Sequence, residues 1–456
     1  MTMNVETPMS GSGGDSTLQS QSSRDTLAYP RILVPPPGPN AQRIIALDQE
    51  YTSTSYIKEY PLAIAGGQGA MVEDVDGNRY IDFMAGIAVS STGYNHPVVV
   101  KAIQEQAGKF LHICGTDFYY DTMARLCERL AQSAPGTDKK RVFLTNSGTE
   151  ATEGAVKLAR RSTGRHALIS FEGAFHGRSY AGISLSASKV KYRQGFGPLL
   201  PGVYHVPFDN PYRAPQDLSP LKALFESRVA ADEVAAIFVE PILGEGGYVV
   251  PRPEFIHGLR RLCDENGILL VFDEVQSGVG RTGHMWAANY FGVEPDILLT
   301  AKGLGSGMPI GAIVARESIM KWTRGSHGST FGGNPVSCAA ALATLDLVQG
   351  GLMDNAAKMG QRLLSGLRKL KERHACIGDV RGVGLMIGLE LVKDRTTKEP
   401  AGDLMGELEQ LAFRRGLLLL GCGKSTIRVA PPLVLSPYDV DTGLSIIDGC
   451  LTELTR

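Results

Sequence analysis

From residue 140 onward the chain repeats one pattern: a short apolar run, closed by polar or glycine residues, then a stretch of helical spacing. RVFLTNSG reads as strand into loop, and TEATEGAVKLARR follows as a helix. The strands HALISF and VAAIFVEPI come next, then the helical PEFIHGLRRLCDENG and the strands ILLVFDEV, DILLTA and GAIVA. Unbroken apolar runs alternating with helices predict an α/β chain whose mostly parallel sheet is covered by helices. Residues 333–349, GNPVSCAAALATLDLVQ, form a small-residue helix leading out of this region. Beyond it, the amphipathic NAAKMGQRLLSGLRKLKERH and the strands GVGLMIGLEL and STIRVA suggest a separate, smaller α+β unit. Upstream, AMVEDVDGNRYIDF reads as a hairpin turning at Asp76-Gly77.

In a doubly wound sheet, ligands bind beyond the carboxyl ends of the strands. The residues there are TNSGTE, FEGAFHGR, VEPILGEGG, FDEVQSG and TAKGLGSG, all polar, charged or glycine directly after an apolar run. Lys302 stands alone between a buried strand and a loop holding Gly303, Gly305 and Gly307. A desolvated lysine is a candidate for Schiff-base chemistry, and glycines allow close backbone approach to a ligand; a solvated turn is the plainer reading. Asp273 and Glu274 end an apolar strand, where a carboxylate needs a cation, either a protein arginine or a protonated ring nitrogen. Ser147, Gly148 and Thr149 lie between strand and helix, placed to bind phosphate or merely to cap the helix. Lysine, aspartate and phosphate cradle together describe a pyridoxal 5'-phosphate site. GVGRTG, residues 278–283, matches a dinucleotide-binding fingerprint, but the flanking strand end and the poor helix after it fit badly.

Bulk properties exclude other classes. Formal net charge is -1, which gives no footprint for nucleic acid. Seven scattered cysteines without C-x-x-C argue for free thiols rather than a disulfide framework or a zinc site, and no metal is expected. The apolar runs fall short of a membrane span, and the polar start carries no secretory h-region. SGSGGDSTLQSQSS, residues 10–23, is low-complexity and is expected to be disordered. A cytoplasmic protein without membrane or nucleic-acid partners is the expectation.

With these residues assembled, the chain resembles the class III, ω-amino acid branch of fold-type I pyridoxal-phosphate aminotransferases. The likeness runs from PRILVPPPGPNAQ to the C-terminus; FDEVQSGVGRTGHMWAANYFGVEPDILLTAKGLGSGMPIGA is its most specific part, with EGAFHGR and STFGGNP in support. PPPGP and VEPILGEGGYVVP look most like the 4-aminobutyrate enzymes, whereas NSGTEATEGAVKLARR looks equally like the acetylornithine and ornithine enzymes.

The resemblance implies a large domain with a mostly parallel seven-stranded sheet and a smaller α+β domain built from N- and C-terminal segments. Its boundaries would be a disordered extension over 1–30, an N-terminal segment over 31–92, a cofactor domain over 93–348 and a small domain over 349–456. Lys302 would carry the cofactor and shuttle the substrate proton, and Asp273 would keep the pyridine nitrogen protonated. Phe175 would stack on the ring, His176 would belong to the same site, and Gln276 would reach the phenolic oxygen. Ser147, Gly148 and Thr149 would bind the phosphate, joined by Thr330 from a neighbouring subunit, so the active sites of a homodimer, or of a tetramer formed by two such dimers, would be shared. Arg428 would take the α-carboxylate of 2-oxoglutarate or glutamate, Glu245 would pair with it when an ω-amino substrate is bound, and Arg178 would take the distal carboxylate. Ile87 would sit near the substrate chain. Leu243, where many 4-aminobutyrate enzymes are polar, and the small residues Ser90 to Thr92 leave the amino donor open. The expected activity is ping-pong transamination from a 4-aminobutyrate-like donor to a keto acid. Ornithine, acetylornithine or diamine donors and an amino-acid racemase or epimerase are the alternatives.

Overall fold

The computed structural model describes residues 29–456; the low-complexity start lies outside them. Tyr29 and Pro30, the last two residues of the expected disordered extension, pack on the C-terminal part of the chain. The Tyr438 hydroxyl donates to the Tyr29 carbonyl at 2.8 Å, and Pro30 lies over Gly416.

The hairpin at the N-terminal side is real: strands β1 (Ile64–Gln68), β2 (Met71–Asp74) and β3 (Arg79–Asp82) run antiparallel, with Gly77 in the turn at φ 86°. The central sheet takes β4 (Lys140–Thr145), β5 (Ala167–Phe171), β6 (Val203–Val206), β7 (Val234–Val239), β8 (Leu269–Asp273), β9 (Ile297–Thr300) and β10 (Gly311–Arg316). Their order across its seven strands is β4-β10-β9-β8-β7-β5-β6. Every residue of β7 is buried, as a parallel strand covered on both faces requires. Only β10 runs against its neighbours. The link from β9 to β10, residues 301–310, is too short for a helical crossover, so the chain must turn back on itself. The edge strand β6 has no counterpart among the predicted strands.

The smaller unit contains β11 (Ile377–Val383), β12 (Met386–Leu391), β13 (Leu417–Leu418), β14 (Leu420–Cys422) and β15 (Thr426–Val429). The single strand expected over GVGLMIGLEL is instead the end of β11, a turn and β12. Gly384 breaks it at φ 56°, where an added Cβ would overlap the Thr282 backbone. β13 leaves this region to pair in parallel with β3, setting Leu417 against Ile81 and Leu418 against Asp82.

The helical run Pro335–Arg373 has the length and mean hydropathy (1.4) of a membrane span, but half of its most apolar window is buried within the protein. Its first segment, Pro335–Leu347, starts at Asn334, whose side chain accepts from the N–H groups of Val336 and Ser337. It packs on the helices Pro97–Ala107 and Asp121–Ser133 as a core helix.

Candidate active site

Strand β9 delivers its last residues to the carboxyl edge of the sheet, and Lys302 follows with φ 40°. A lysine held in the left-handed region costs on the order of 1–2 kcal/mol, which the packing around the loop must offset. That packing accounts for two of the glycines. A side chain on Gly303 would meet Ser91, and one on Gly305 would meet the Met308 carbonyl, so both serve close approach within the protein rather than to a ligand. Gly307, by contrast, lines the adjoining cavity. Ser306 holds the loop to the N-terminal segment, accepting from the Thr92 N–H at 2.9 Å.

Among the described residues nothing hydrogen-bonds or ion-pairs with the Lys302 amine. Burial pushes its pKa below the usual lysine value, while the charges of Asp273 and Glu240 work against that shift. Asp273, at the end of β8, is 5 % exposed. One of its oxygens accepts from the Val275 N–H at 3.1 Å, and the other lies 2.7 Å from His176 Nδ1. His176 is in turn held by Ser170 Oγ at 3.2 Å from Nε2. Burial opposes charge on this imidazole, but the hydrogen bond and charge of Asp273 outweigh it and raise its pKa.

Lys302, Asp273, His176, Gln276, Phe175 and the 147–149 turn all line one cavity of about 290 Å³. Ser147 caps the helix Gly148–Thr163, accepting from the Glu150 N–H, and the Thr149 hydroxyl lies 2.6 Å from Ser179 Oγ. Gln276 Oε1 accepts from the Tyr248 hydroxyl at 2.6 Å, and among the described residues its NH2 has no partner. Thr330 stays outside this cavity, on an exposed loop. Glu240, at the end of β7, belongs to the cavity and was not singled out from the sequence. Its two oxygens accept from the Phe175 and Gly244 N–H groups at 2.8 and 2.9 Å, tying two loops together. Its place in VEPILGEGG, directly after the strand, was the available signal.

A second cavity of about 510 Å³ takes Ile87, Arg178, Glu245 and Arg428, together with Lys189, Lys191 and Tyr192. Phe175 lines the first cavity and Tyr192 the second; their rings meet edge-on at 5.5 Å. Arg178 lies over the Tyr192 ring at 4.9 Å, and among the described residues no carboxylate pairs with it. Arg428 Nη2 donates to Glu245 Oε2 at 2.6 Å. Ile87 is held at φ 67° in a left-handed turn over residues 85–88, with Asp82 accepting from the Met84 and Ala85 N–H groups at its start. Leu243 faces neither cavity: it is buried in the core and pairs with Val249, so it does not shape donor choice directly. GVGRTG is also accounted for by packing, since Gly278 meets Trp286, Gly283 meets Ala357, and Arg281 is buried donating to the Leu385 and Pro431 carbonyls.

Residues 53–451 match the family profile "Aminotransferase class-III". The chain belongs to the class-III aminotransferase family. It is 38% identical over 442 residues to a 4-aminobutyrate aminotransferase of Mycobacterium tuberculosis, covering 93% of this chain and 98% of that one. It is 39% identical over 446 residues to an alanine/serine racemase of Pyrococcus horikoshii, covering 94% of each. A PLP-bound amine transaminase from an uncultivated Pseudomonas species superposes with a TM-score of 0.81 at 33% identity, covering 88% of this chain and 98% of that one. As a class-III aminotransferase the enzyme is a transaminase, and its cofactor is pyridoxal 5'-phosphate. The first cavity fits that group: it holds a buried amine and an amide NH2 that have no partner among the described residues, a pinned carboxylate, and a small-residue helix start for the phosphate.

Proposed function

We propose that this aminotransferase moves nitrogen from an ω-amino acid or amine of the 4-aminobutyrate type to 2-oxoglutarate or another keto acid, by a ping-pong route. The observation that carries the reading is the asymmetry of the second cavity. It holds two guanidiniums, Arg428 already paired with a carboxylate and Arg178 with no carboxylate partner among the described residues. A dicarboxylic keto acid needs both, and a donor with one carboxylate needs only Arg178 while Glu245 neutralises Arg428.

When bound, pyridoxal phosphate supplies a carbonyl for the substrate amine and a ring that accepts carbanion charge. Lys302 would hold it covalently at rest. Released by the incoming amine, Lys302 Nζ would carry the proton from the carbon bearing the nitrogen, a role suited to an amine whose pKa is lowered by burial. Asp273, oriented by His176, would keep a proton on the ring nitrogen, and the Gln276 NH2 would reach the phenolic oxygen. Phe175 would cover the ring face, and Ser147, Gly148 and Thr149 would bind the phosphate at the helix start. Thr330 would complete the phosphate site of a neighbouring subunit in a homodimer; its place on an exposed loop supports this. The domain limits given above from residue 31 onward and a cytoplasmic location belong to the same proposal.

The test is a half-reaction followed by absorbance, with 4-aminobutyrate, L-ornithine or L-alanine and no keto acid. Bleaching of the yellow enzyme by an ω-amino compound supports the reading and ranks the donors. The 39% identity to a racemase favours one rival. If colour persists while the optical rotation of an α-amino acid decays, the racemase reading replaces this one.

A further inference from the structure

Glu245 is held from both sides. Its Oε2 accepts from Arg428 Nη2 at 2.6 Å, while its Oε1 accepts from Lys189 Nζ at 2.7 Å and from the Tyr192 hydroxyl at 3.1 Å. The two grips differ in geometry and in what else they do. Arg428 uses a single nitrogen, which it also shares with the Gly421 carbonyl at 2.9 Å, and its Nε is buried with no partner among the described residues. Lys189 and Tyr192 both converge on the other oxygen. The Arg428 side chain is 5% exposed, and that of Glu245 is 12% exposed.

A carboxylate is costly to leave unpaired in such a place. Any ligand carboxylate that takes Arg428 in fork geometry would satisfy the orphan Nε and displace Glu245 Oε2 from Nη2. Glu245 can give up that bond only because Oε1 keeps a cation and a hydroxyl. We propose that Lys189 is a specificity-determining positioning residue: it retains Glu245 when a substrate α-carboxylate claims Arg428, and so allows one cavity to accept both dicarboxylates and ω-amino acids. Lys189 acts through Glu245 and not on the substrate. Both members of the pair shift in the direction of the charged form: burial opposes charge on each, but the Glu245 contact raises the Lys189 pKa, and Arg428 and Lys189 lower that of Glu245. The proposal rests on the reading of Arg428 as the α-carboxylate site.

The experiment compares wild type with Lys189→Met, Lys189→Arg, Glu245→Gln, the double variant Lys189→Met/Glu245→Gln, and Arg428→Ala. Two quantities are read on the holoenzyme: the dissociation constant of glutarate, an unreactive dicarboxylate, and the separate half-reactions with 2-oxoglutarate and 4-aminobutyrate. Lys189→Met should weaken glutarate and the 2-oxoglutarate half-reaction about tenfold more than the 4-aminobutyrate half-reaction, the scale of one charged hydrogen bond. Lys189→Arg should restore most of the difference. In the Glu245→Gln background no charge needs retaining, so Lys189→Met should lose its selective effect. Equal loss in both half-reactions for Lys189→Met would make Lys189 a direct anchor and overturn the proposal. So would an undiminished selective effect in the Glu245→Gln background. If Lys189→Met does not fold, Lys189→Gln is read in the same way. Failure of the underlying reading shows separately, as equal losses for Arg428→Ala in the two half-reactions.

Discussion

His176 Nδ1 and Asp273 Oδ2 lie 2.7 Å apart, with the ring fully buried and the carboxylate nearly so. The contact raises the His176 pKa, so the folded apoenzyme binds that proton more tightly than the unfolded chain, where histidine titrates near pH 6.5. The stability it contributes is complete below about pH 6.5 and disappears as pH rises through the folded value. Thermal melts of the apoenzyme from pH 6 to 9 should show this decline, and His176→Gln should flatten it. A wild-type curve parallel to that of the variant would show that the pair is not protonated as described.

Lys302 is the only residue proposed to hold the cofactor covalently. Lys302→Ala should reduce turnover by at least about a thousandfold and leave the cofactor removable by dialysis, with loss of the yellow absorbance band. Retained transamination would sink the assigned role.

Arg428→Ala removes a buried guanidinium and exposes Glu245 to a cavity with one cation fewer. The half-reaction with 2-oxoglutarate or glutamate should fall about tenfold to a hundredfold further than that with a simple amine, since a charged hydrogen bond is worth about 1.5–3 kcal/mol. Stopped-flow traces for each half-reaction measure the split.

Gly384 turns the chain between β11 and β12 at φ 56°, against the Thr282 backbone. Gly384→Ala combines strain with overlap and should cost about 2 kcal/mol or more, read as a lowered unfolding midpoint. An unchanged midpoint would mean that the Thr282 loop yields freely.

The large sheet was legible because parallel strands buried on both faces leave unbroken apolar runs, as in VAAIFV and ILLVF. Strand β6 escaped because VYHV, at the sheet edge, mixes polar and apolar residues in four positions. The direction of β10 was available in the length of its link to β9, a geometric limit rather than a residue preference. Within the site, Lys302, Asp273 and the 147–149 turn could be picked out from residue type and strand-end position alone. Phe175, Arg178, Glu245 and Arg428 needed the family resemblance, because nothing local marks an arginine out for the proposed role of carboxylate ligand. Lys189 was invisible for a related reason: its meaning lies in Glu245, 56 residues away. Three glycines beside Lys302 suggested ligand approach, yet two of them make room for the protein's own Ser91 and Met308.

The parallel pairing of β13 with β3 sets an order of assembly. A chain emerging from its N-terminus can form the cofactor cavity, Val89 aside, from residues 146–310. β3 must wait with an open edge until Leu417 and Leu418 arrive. The second cavity needs Ile87 from before that gap and Arg428 from after it. In the nascent protein, therefore, the walls of the first cavity can stand before those of the second, and the proposed choice between substrates would be the last property the chain acquires.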